Sequence, residues 1–401
     1  MARGAVKYIL KGLKWFLIGI VTLIILLPIL VYIPFVQDIA CKYAVKKINE
    51  STGMTISIDN LRLKFPLQVR LNGVGVIEAS GDTMATVGSL GLDVKPLPLL
   101  KGDIEIGSAE GNSIFYQMGT QDSLMWLRAN VRRLEVEAGD ISLKSGRINV
   151  DRAIADGADV MLIMKPDTAA TPVDTTQSTP WHITARDILL TDINYRMSML
   201  PTIDSLGCHV DSARLCNGLV DMARHRIHAG SLSVDSVAGT YLTPTAQYLR
   251  EHPDTVAPDT TVTPPDKRWT VTADRLRLTG RTVTYATRGA RPLPGLDMNY
   301  LQASDILIEV DSFFNCMTTV KVPLRRLKAT ERCGITLDAS GLFMMDSTLM
   351  QARDFDIATM LSRIRLDGSM GVGDIMTDPH LPLSLRANAN IAMADVRTLF
   401  P

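Results

Sequence analysis

The sequence is poor in several features that mark common classes of protein. Its 401 residues contain only five cysteines, too few for a disulfide-stapled scaffold of this length. The 42 basic residues are balanced by 42 acidic ones, so the chain lacks the positive excess with which nucleic-acid binders displace counterions. Charged residues make up 21% and apolar residues 46%, which excludes a largely disordered chain. A folded chain with an ample apolar core remains, long enough for about two or three ordinary domains.

Motifs that carry catalysis are also missing from the sequence. It contains no His-Glu-x-x-His, no P-loop, no Gly-x-Ser-x-Gly and no Gly-x-Gly-x-x-Gly. His225 and His228 are three apart and His209 is nearby, but in a strand that spacing places the two side chains on opposite faces. We therefore predict a protein that is not an enzyme and needs no metal and no cofactor.

One long apolar run stands near the N-terminus. Trp15 to Val36 is free of charged residues, and as a helix it spans roughly 33 Å, enough for a hydrocarbon core of about 30 Å. Because the residues before it are basic without an acidic one, the positive-inside rule places the N-terminus in the cytoplasm and the remainder outside. We predict a cytoplasmic tip and transmembrane signal-anchor over residues 1–36.

Two alternatives for this run are a cleaved signal peptide and a lipoprotein signal. A signal peptide has a shorter apolar region that ends at a small-x-small site, and Ile33 to Gln37 offers none. A lipoprotein would use Cys41, but Asp38 stands three residues before it. A retained anchor is the interpretation that the length favours.

Residues 37–53 have the pattern of a short amphipathic helix. Apolar residues recur at steps of three and four from Val36 to Ile48, three lysines lie off that stripe, and Gly53 is a plausible stop. Such a helix either rests on a membrane surface or caps the next domain, and amphipathicity cannot distinguish the two.

From Met54 onward the pattern changes to strict alternation, which predicts strands with one apolar and one polar face. Alternating segments are Thr55–Asp59, Leu61–Phe65, Leu67–Leu71, Ile104–Ile106, Leu134–Val136, Arg147–Val150, Leu276–Leu278, Ile306–Val310 and Leu383–Ala387. Turn-like pairs recur among them: Asn72-Gly73, Gly81-Asp82, Gly111-Asn112, Gly139-Asp140 and Asp367-Gly368. At about 8–12 residues per strand and turn, we expect on the order of 30 short antiparallel strands.

Two Pro/Thr/Asp-rich segments, 166–180 and 253–266, interrupt the strands, and we expect mobile loops there. Each leads into a similar sequence, Trp181–Thr191 and Trp269–Thr279, with an offset of 88 residues and no gap. A weaker third copy is expected to begin at Trp126. The repetition predicts a stacked, elongated molecule.

From residue 49 to 117 the order of these features resembles the N-terminal part of AsmA-like proteins, especially TamB-like proteins of the Bacteroidota type (inner-membrane translocation and assembly module). The resemblance lies in Gly53–Arg62, a strand into Asn72-Gly73-Val74, a Gly81-Asp82-Thr83 turn and Leu99–Ile106. The Trp-headed repeats and the ending with Ala394-Asp395-Val396 are similar too. Because the family normally continues where Leu399-Phe400-Pro401 falls, we expect the natural chain to extend further.

The resemblance implies an all-β, elongated, curled antiparallel groove of repeating strands, described as taco-like, apart from the transmembrane helix and the short amphipathic helix. It implies a single-pass protein of the bacterial inner membrane, with the bulk of the chain in the periplasm, that conducts phospholipids or other acyl lipids toward the outer membrane. Its alternative role is a scaffold for outer-membrane protein assembly and secretion beside a β-barrel partner. Alternation alone would equally suit a closed sandwich.

We predict that apolar-phase residues line the groove: Ile56, Ile58, Val69, Leu71, Ile104, Ile106, Leu134, Val136, Ile188, Leu190, Leu276 and Leu278. The predicted units are 1–36, 37–53, an AsmA-like N-terminal β domain over 54–165, the loop 166–180, a β repeat over 181–252, the loop 253–266 and a β repeat over 267–401. Two pairs of cysteines are close in sequence, Cys208 with Cys216 and Cys316 with Cys333. Outside the cytoplasm, the sequence is compatible with a disulfide in each pair and also with free thiols. The 19 methionines suit an adaptable apolar lining or an ordinary core.

Overall fold

A computed structural model describes residues 32–65, 67–99, 105–142, 146–165, 180–199, 203–251, 268–372 and 381–401. Most of the predicted membrane-spanning run and nearly all of both Pro/Thr/Asp-rich segments lie outside these residues. Within the described ranges, no helix combines the length and apolarity needed to cross a membrane.

The described residues form one long, open, curled sheet of sixteen strands that follow one another in sequence order. Strand makes up about 70% of the structure and helix about 10%. The strands are β1 Thr55–Lys64, β2 Gln68–Ile77, β3 Thr83–Val94, β4 Ile106–Met118, β5 Met125–Ser142, β6 Arg147–Met164, β7 His182–Met199, β8 Ile203–Asp221, β9 Arg226–Thr243, β10 Thr270–Thr287, β11 Tyr300–Cys316, β12 Thr319–Glu331, β13 Thr336–Met345, β14 Leu349–Ala358, β15 Arg363–Gly371 and β16 Leu383–Asn390. The helices are α1 Pro34–Thr52, α2 Pro96–Leu99, α3 Ala246–Glu251 and α4 Met393–Leu399.

The strands are fewer and longer than the expected thirty short ones, and that expectation is wrong. β8, for example, runs for 19 residues. Gly81-Asp82 does form a turn, between β2 and β3. The other four turn-like pairs, Asn72-Gly73, Gly111-Asn112, Gly139-Asp140 and Asp367-Gly368, lie inside strands. They lie at or beside irregular positions within a strand, where the alternation changes phase.

These irregular positions line up across the sheet. In β1 to β11 one residue per strand has no pairing partner on either side, and together these residues form a transverse row that we name the first crease: Asp59, Gly73, Gly88, Ser113, Arg132, Gly157, Asp192, Asp211, Ser236, Arg281 and Asp305. Several of them have a positive φ, such as 54° at Ser113 and 53° at Asp192. Where the pairing register also shifts, as around Gly280 and Arg281, the row includes a β-bulge, which bends the strand and increases its twist.

A second crease crosses β5 to β11 nearer the first rim, six or seven residues from the first crease along each strand. It consists of Gly139, Asp151, Arg186, Asn217, Gly230, Asp274 and Ser312, which likewise have no pairing partner. At a crease two consecutive residues lie on the polar face, so the spacing of the apolar residues changes from two to three, as from Leu71 to Val74. The apolar face therefore continues across each crease without interruption.

Two of the strand junctions depart from the predicted antiparallel order. β6 pairs with β7, and β9 with β10, in parallel. These are the two places where a Pro/Thr/Asp-rich segment joins the strands. Parallel neighbours need a connection that returns along the length of the strand.

The two strongest sequence repeats are equivalent in the structure. β7 follows Trp181 and β10 follows Trp269, both strands are 18 residues long, and both begin at the same side of the groove, which we name the first rim. The proposed third copy is wrong, because Trp126 lies within β5 and pairs with Ile163 near the opposite, second rim.

The two edges of the sheet differ, because a helix covers one of them and the other is exposed. Helix α1 lies along the free edge of β1, where the Gln37 side chain donates to the carbonyl of Leu63 and accepts from its N–H (3.2 and 3.1 Å). Asn49 makes the same pair of bonds with Ile56 (3.2 and 2.8 Å). At the other edge, every residue of β16 is exposed.

Candidate functional site: the apolar face

One uninterrupted row of apolar residues crosses all sixteen strands. Each member is the direct pairing partner of the next, and the row, which we name the long ladder, contains no polar side chain: Leu61, Leu71, Leu90, Gly111, Leu134, Ala155, Leu190, Ala213, Val234, Leu278, Ile308, Leu327, Ala339, Ile357, Ile364 and Ala389. With strands about 4.8 Å apart, its contour is about 70 Å.

A second apolar row runs beside the long ladder across the first twelve strands. Its members are Leu63, Val69, Leu92, Ala109, Val136, Ala153, Ile188, Leu215, Leu232, Leu276, Val310 and Leu324. Direct partners share a face of the sheet, so both rows belong to one continuous apolar surface.

The predicted lining residues come together on this surface. Leu71, Leu134, Leu190 and Leu278 lie on the long ladder, and Val69, Val136, Ile188 and Leu276 on the second row. Ile58 and Ile56 begin further apolar rows through Val74 and Val76, and Ile106 pairs with Val94. Ile104 lies outside the described residues.

Sequence reasoning missed the small members of these rows. Gly111, Ala155 and Ala213 carry too little hydrophobicity to mark a phase, and each lies next to the first crease, where the alternation shifts. The sequence did carry a signal for these positions. Within an alternating run, two apolar residues stand three positions apart instead of two, with a Gly, Ser or Asp between them.

No second layer covers this face among the described residues. All sixteen strands belong to one sheet, so the alternative of a closed sandwich is wrong for this part of the chain. In the described ranges no large side chain is fully buried, and the buried apolar residues are mostly alanine and valine. The leucines and isoleucines of the two rows are half-buried. The face remains available to an apolar ligand.

The second row also borders a cavity on β7 to β11. The cavity has a volume of about 420 Å³ and is lined by members of the second row, such as Ile188 and Leu276, and by Phe313. Leu296, just before β11, donates its N–H to the carbonyl of Leu399 (2.8 Å), which follows β16 in the chain. This bond across the curl narrows the groove at its second rim.

The opposite face carries cross-strand ion pairs. The guanidinium of Arg132 passes over Gly157 to reach Asp192 (2.6 Å), two strands away, and also pairs with Asp156 (2.9 Å). Arg214 binds Asp187 (2.7 Å), and this hydrogen bond holds the pKa of the carboxyl below its usual range. These side chains are substantially exposed, as expected of a solvated outer face.

All five cysteines are free thiols. Cys208 pairs with Tyr195 on the apolar face, where burial raises the pKa of its thiol. Cys216 lies on the polar face beside Asp187 (3.8 Å). Cys316 pairs with Thr319 at the start of β12, whereas Cys333 follows the end of that strand. Neither proposed pair is positioned to form a disulfide.

The histidines take part in separate contacts. His209 contacts Asn194 and Asp211, and the His225 ring packs edge-on against Trp269 (5.3 Å). His228 contacts Thr272 (3.0 Å). Across the described part of the chain, no group of three His, Cys, Asp or Glu residues is arranged to hold a metal ion.

Comparison with known proteins leaves the apolar face as the main guide to function. A scan of the chain against protein-family models gives no match, and no curated protein matches it.

Proposed function

We propose that this protein is a non-enzymatic, membrane-anchored member of the AsmA-like and TamB-like type, whose apolar face binds the acyl chains of phospholipids and conducts them along the sheet. The observation that carries the proposal is the long ladder: sixteen consecutive strands present apolar residues to a space that no described residue fills. A protein that needed only a stable core would cover such a face.

The energetics favour an acyl ligand. Each CH₂ group exposed to water costs about 0.8 kcal/mol, so an acyl chain of about sixteen carbons gains on the order of 12 kcal/mol from an apolar path. Because the ladder contains no polar side chain, a sliding chain meets no desolvated charge or hydrogen-bonding group along about 70 Å of contour.

The location belongs to the proposal as well. The uncharged run from Trp15 to Val36 with basic residues before it would anchor the chain in the inner membrane, with the sheet in the periplasm and lipid moving toward the outer membrane. This arrangement rests on the sequence pattern and on the resemblance.

A second candidate function is that of a scaffold in outer-membrane protein assembly. One observation favours it: all eight residues of β16 are exposed at an edge of the sheet, and an unpaired edge is a template for an incoming strand. The two functions differ in what occupies the apolar face, lipid in the first and polypeptide in the second.

The test uses two adjacent leucines of β7. Leu190 lies on the long ladder, whereas Leu189 pairs with Ile154 and Arg214 on the other face. A photo-crosslinking amino acid at position 190 of the full chain, in membranes with radiolabelled phospholipid, should capture lipid, and the same residue at position 189 should not.

Blocking the groove gives a second measurement on the same pair. Leu190→Arg should strongly reduce lipid capture by a crosslinker at Leu278, three strands downstream, because a charge then interrupts the apolar path. Leu189→Arg is the matched control and should leave capture unchanged, with circular dichroism verifying that both variants fold. Capture of polypeptide without lipid at position 190 would refute the lipid function and support the scaffold.

A further inference from the structure

Helix α1 has two functional sides. Toward the sheet it presents Gln37, which is 2% exposed, and Cys41, which is 9% exposed, and Gln37 and Asn49 bind the edge of β1 near opposite ends. The helix axis therefore lies along β1. This side of the helix therefore caps the edge of the sheet. Capping was one of the two roles that the amphipathic sequence pattern left open.

The side turned away from the sheet carries large apolar residues. Phe35 is 71% exposed, Ile39 54% and Tyr43 69%. They follow one another at steps of four, so they form one stripe along the helix surface. An exposed apolar stripe on a helix whose other side is already packed requires a separate partner.

The charges beside the stripe indicate what that partner is. Lys42, Lys46 and Lys47 are all exposed on α1. Of the two acidic residues of the helix, Asp38 is paired with Arg62 of β1 (2.6 Å), which leaves Glu50, next to Lys46 (3.9 Å), on the exposed side. A stripe of Phe, Ile and Tyr flanked by lysines is the composition of a helix that lies in the interface of an anionic bilayer.

We propose that α1 docks on the surface of an anionic lipid bilayer through Phe35, Ile39 and Tyr43, with Lys42, Lys46 and Lys47 contacting lipid phosphates. The uncharged run that ends at Val36 overlaps the start of α1, so the chain would leave the hydrocarbon core where the stripe begins. The docking does not depend on lipid being carried in the groove.

The geometry fixes the orientation of the sheet. With one side of α1 on the bilayer and the other along β1, β1 lies parallel to the membrane plane and the order β1 to β16 runs away from it. β1 then stands about one helix diameter, roughly 10 Å, above the membrane surface. The apolar face begins next to the bilayer and leads away from it.

Photo-crosslinking in the full chain tests the docking. The protein is reconstituted in vesicles of phosphatidylethanolamine and phosphatidylglycerol with a radiolabelled phospholipid, and the crosslinker replaces Ile39 or Tyr43. Both positions should yield lipid adducts. Phe115, an aromatic residue of β4 on the polar face beneath Arg128, is the matched control and should yield none.

Substitution of the lysines distinguishes docking on the anionic surface from accidental proximity to lipid. Each Lys→Gln substitution at Lys42, Lys46 or Lys47 should lower the ratio of docked to undocked helix about fivefold in phosphatidylglycerol vesicles. The substitutions should have little effect in vesicles of phosphatidylcholine alone, where docking is weak throughout.

Tyr116, on the apolar face, serves as the separate reporter of groove occupancy. Lipid at Tyr116 but only protein adducts, or none, at Ile39 and Tyr43 would overturn the docking and leave the proposed function standing. Lipid at Ile39 and Tyr43 but not at Tyr116 would support the docking and count against the groove.

Discussion

Gly157 shows at the scale of one residue how a crease is built. It has a φ of 67°, and a Cβ added there would lie 2.6 Å from the guanidinium carbon of Arg132. The absent side chain lets Arg132 cross β6 and reach Asp192 on β7. Glycine at this position thus serves both the backbone conformation and the ion pair that crosses it.

Gly157→Ala should therefore destabilise the protein by about 1–2 kcal/mol from the left-handed backbone alone, with the displaced arginine adding to the loss. Chemical denaturation of the full chain in detergent measures the change. Gly207→Ala in β8 is the control, because nothing lies within 4 Å of its Cβ position and its φ is not positive. Equal losses at the two sites would contradict this account of the crease.

Asp395 is the residue that attaches α4 to the second rim. It is 6% exposed and accepts hydrogen bonds from Ser362 Oγ (2.6 Å), Thr359 Oγ1 (2.5 Å) and the N–H of Leu361 (3.3 Å). The hydroxyls of Ser362 and Thr359 hold its pKa below the usual range for a carboxyl. The ionised form is thus favoured in the folded state.

The attachment should weaken in acid. A lowered folded pKa contributes stability that is fully present above the unfolded value of about 3.9 and is lost as the pH falls through the folded value. We expect the hydrogen-exchange protection of residues 393–399 to fall below about pH 4. Asp395→Asn should give low protection that does not change with pH in this range, and a wild-type-like acid loss in this variant would exclude Asp395 as the cause.

At the scale of elements, α1 replaces a missing strand. Two side-chain amides, twelve positions apart on the helix, each supply one donor and one acceptor to the edge of β1, as a neighbouring backbone would. A sheet edge without such a cover is prone to pair with other chains. The sequence indicated the helix but not this role, because hydrogen bonding by an amide side chain to a distant strand leaves no periodic signal.

Gln37→Ala and Asn49→Ala should each cost about 1–3 kcal/mol, since each leaves a backbone N–H and C=O of β1 without a partner. The double variant should also self-associate through the uncovered edge, which size-exclusion chromatography in detergent would detect. Lys46→Ala, on the exposed side of α1, is the control and should change neither property. Retention of full stability by the double variant would show that the amides do not hold the helix.

Much of the sheet was predictable, and its exceptions have physical causes. Alternation in segments such as Thr55–Asp59 and Leu276–Leu278 correctly indicated strands and their apolar phase. Strand ends were missed because Gly73 and Gly139 look like turn residues but lie inside strands. Gly73 has a φ of 60° at an unpaired position, and Gly139 lies at a register shift in β5. Parallel pairing was missed because single-strand patterns contain no information on the direction of the neighbour.

At the scale of the whole molecule, the two parallel junctions constrain the length of their connections. Lys165 bonds to Leu124 at the second rim, and His182 bonds to Gly146 at the first rim. Along β6 the rims are about 56 Å apart. The chain from Met164 to His182 can reach at most about 65 Å.

Deleting five residues from the segment 166–179 should therefore prevent β7 from pairing with β6, because the remaining chain reaches only about 47 Å. Hydrogen exchange of Ile183 to Ile193 would show the loss of pairing. The same deletion within 253–266 should be tolerated, since the longer connection from Thr243 to Thr270, which includes α3, would still reach about 67 Å. If both deletions left the strands protected, the parallel register would be wrong.

The three strands from β7 to β9 have a consequence for how such a molecule can change in size. Because three is an odd number, β9 ends at the rim opposite to the one where β7 begins. The connection after β9 returns the chain to the first rim, where β10 begins. A gene duplication of this block would thus insert cleanly, with every later strand keeping its direction and its apolar side. Each insertion would lengthen the molecule by about 14 Å. The length of such a sheet can therefore change in discrete increments, without any change at either end.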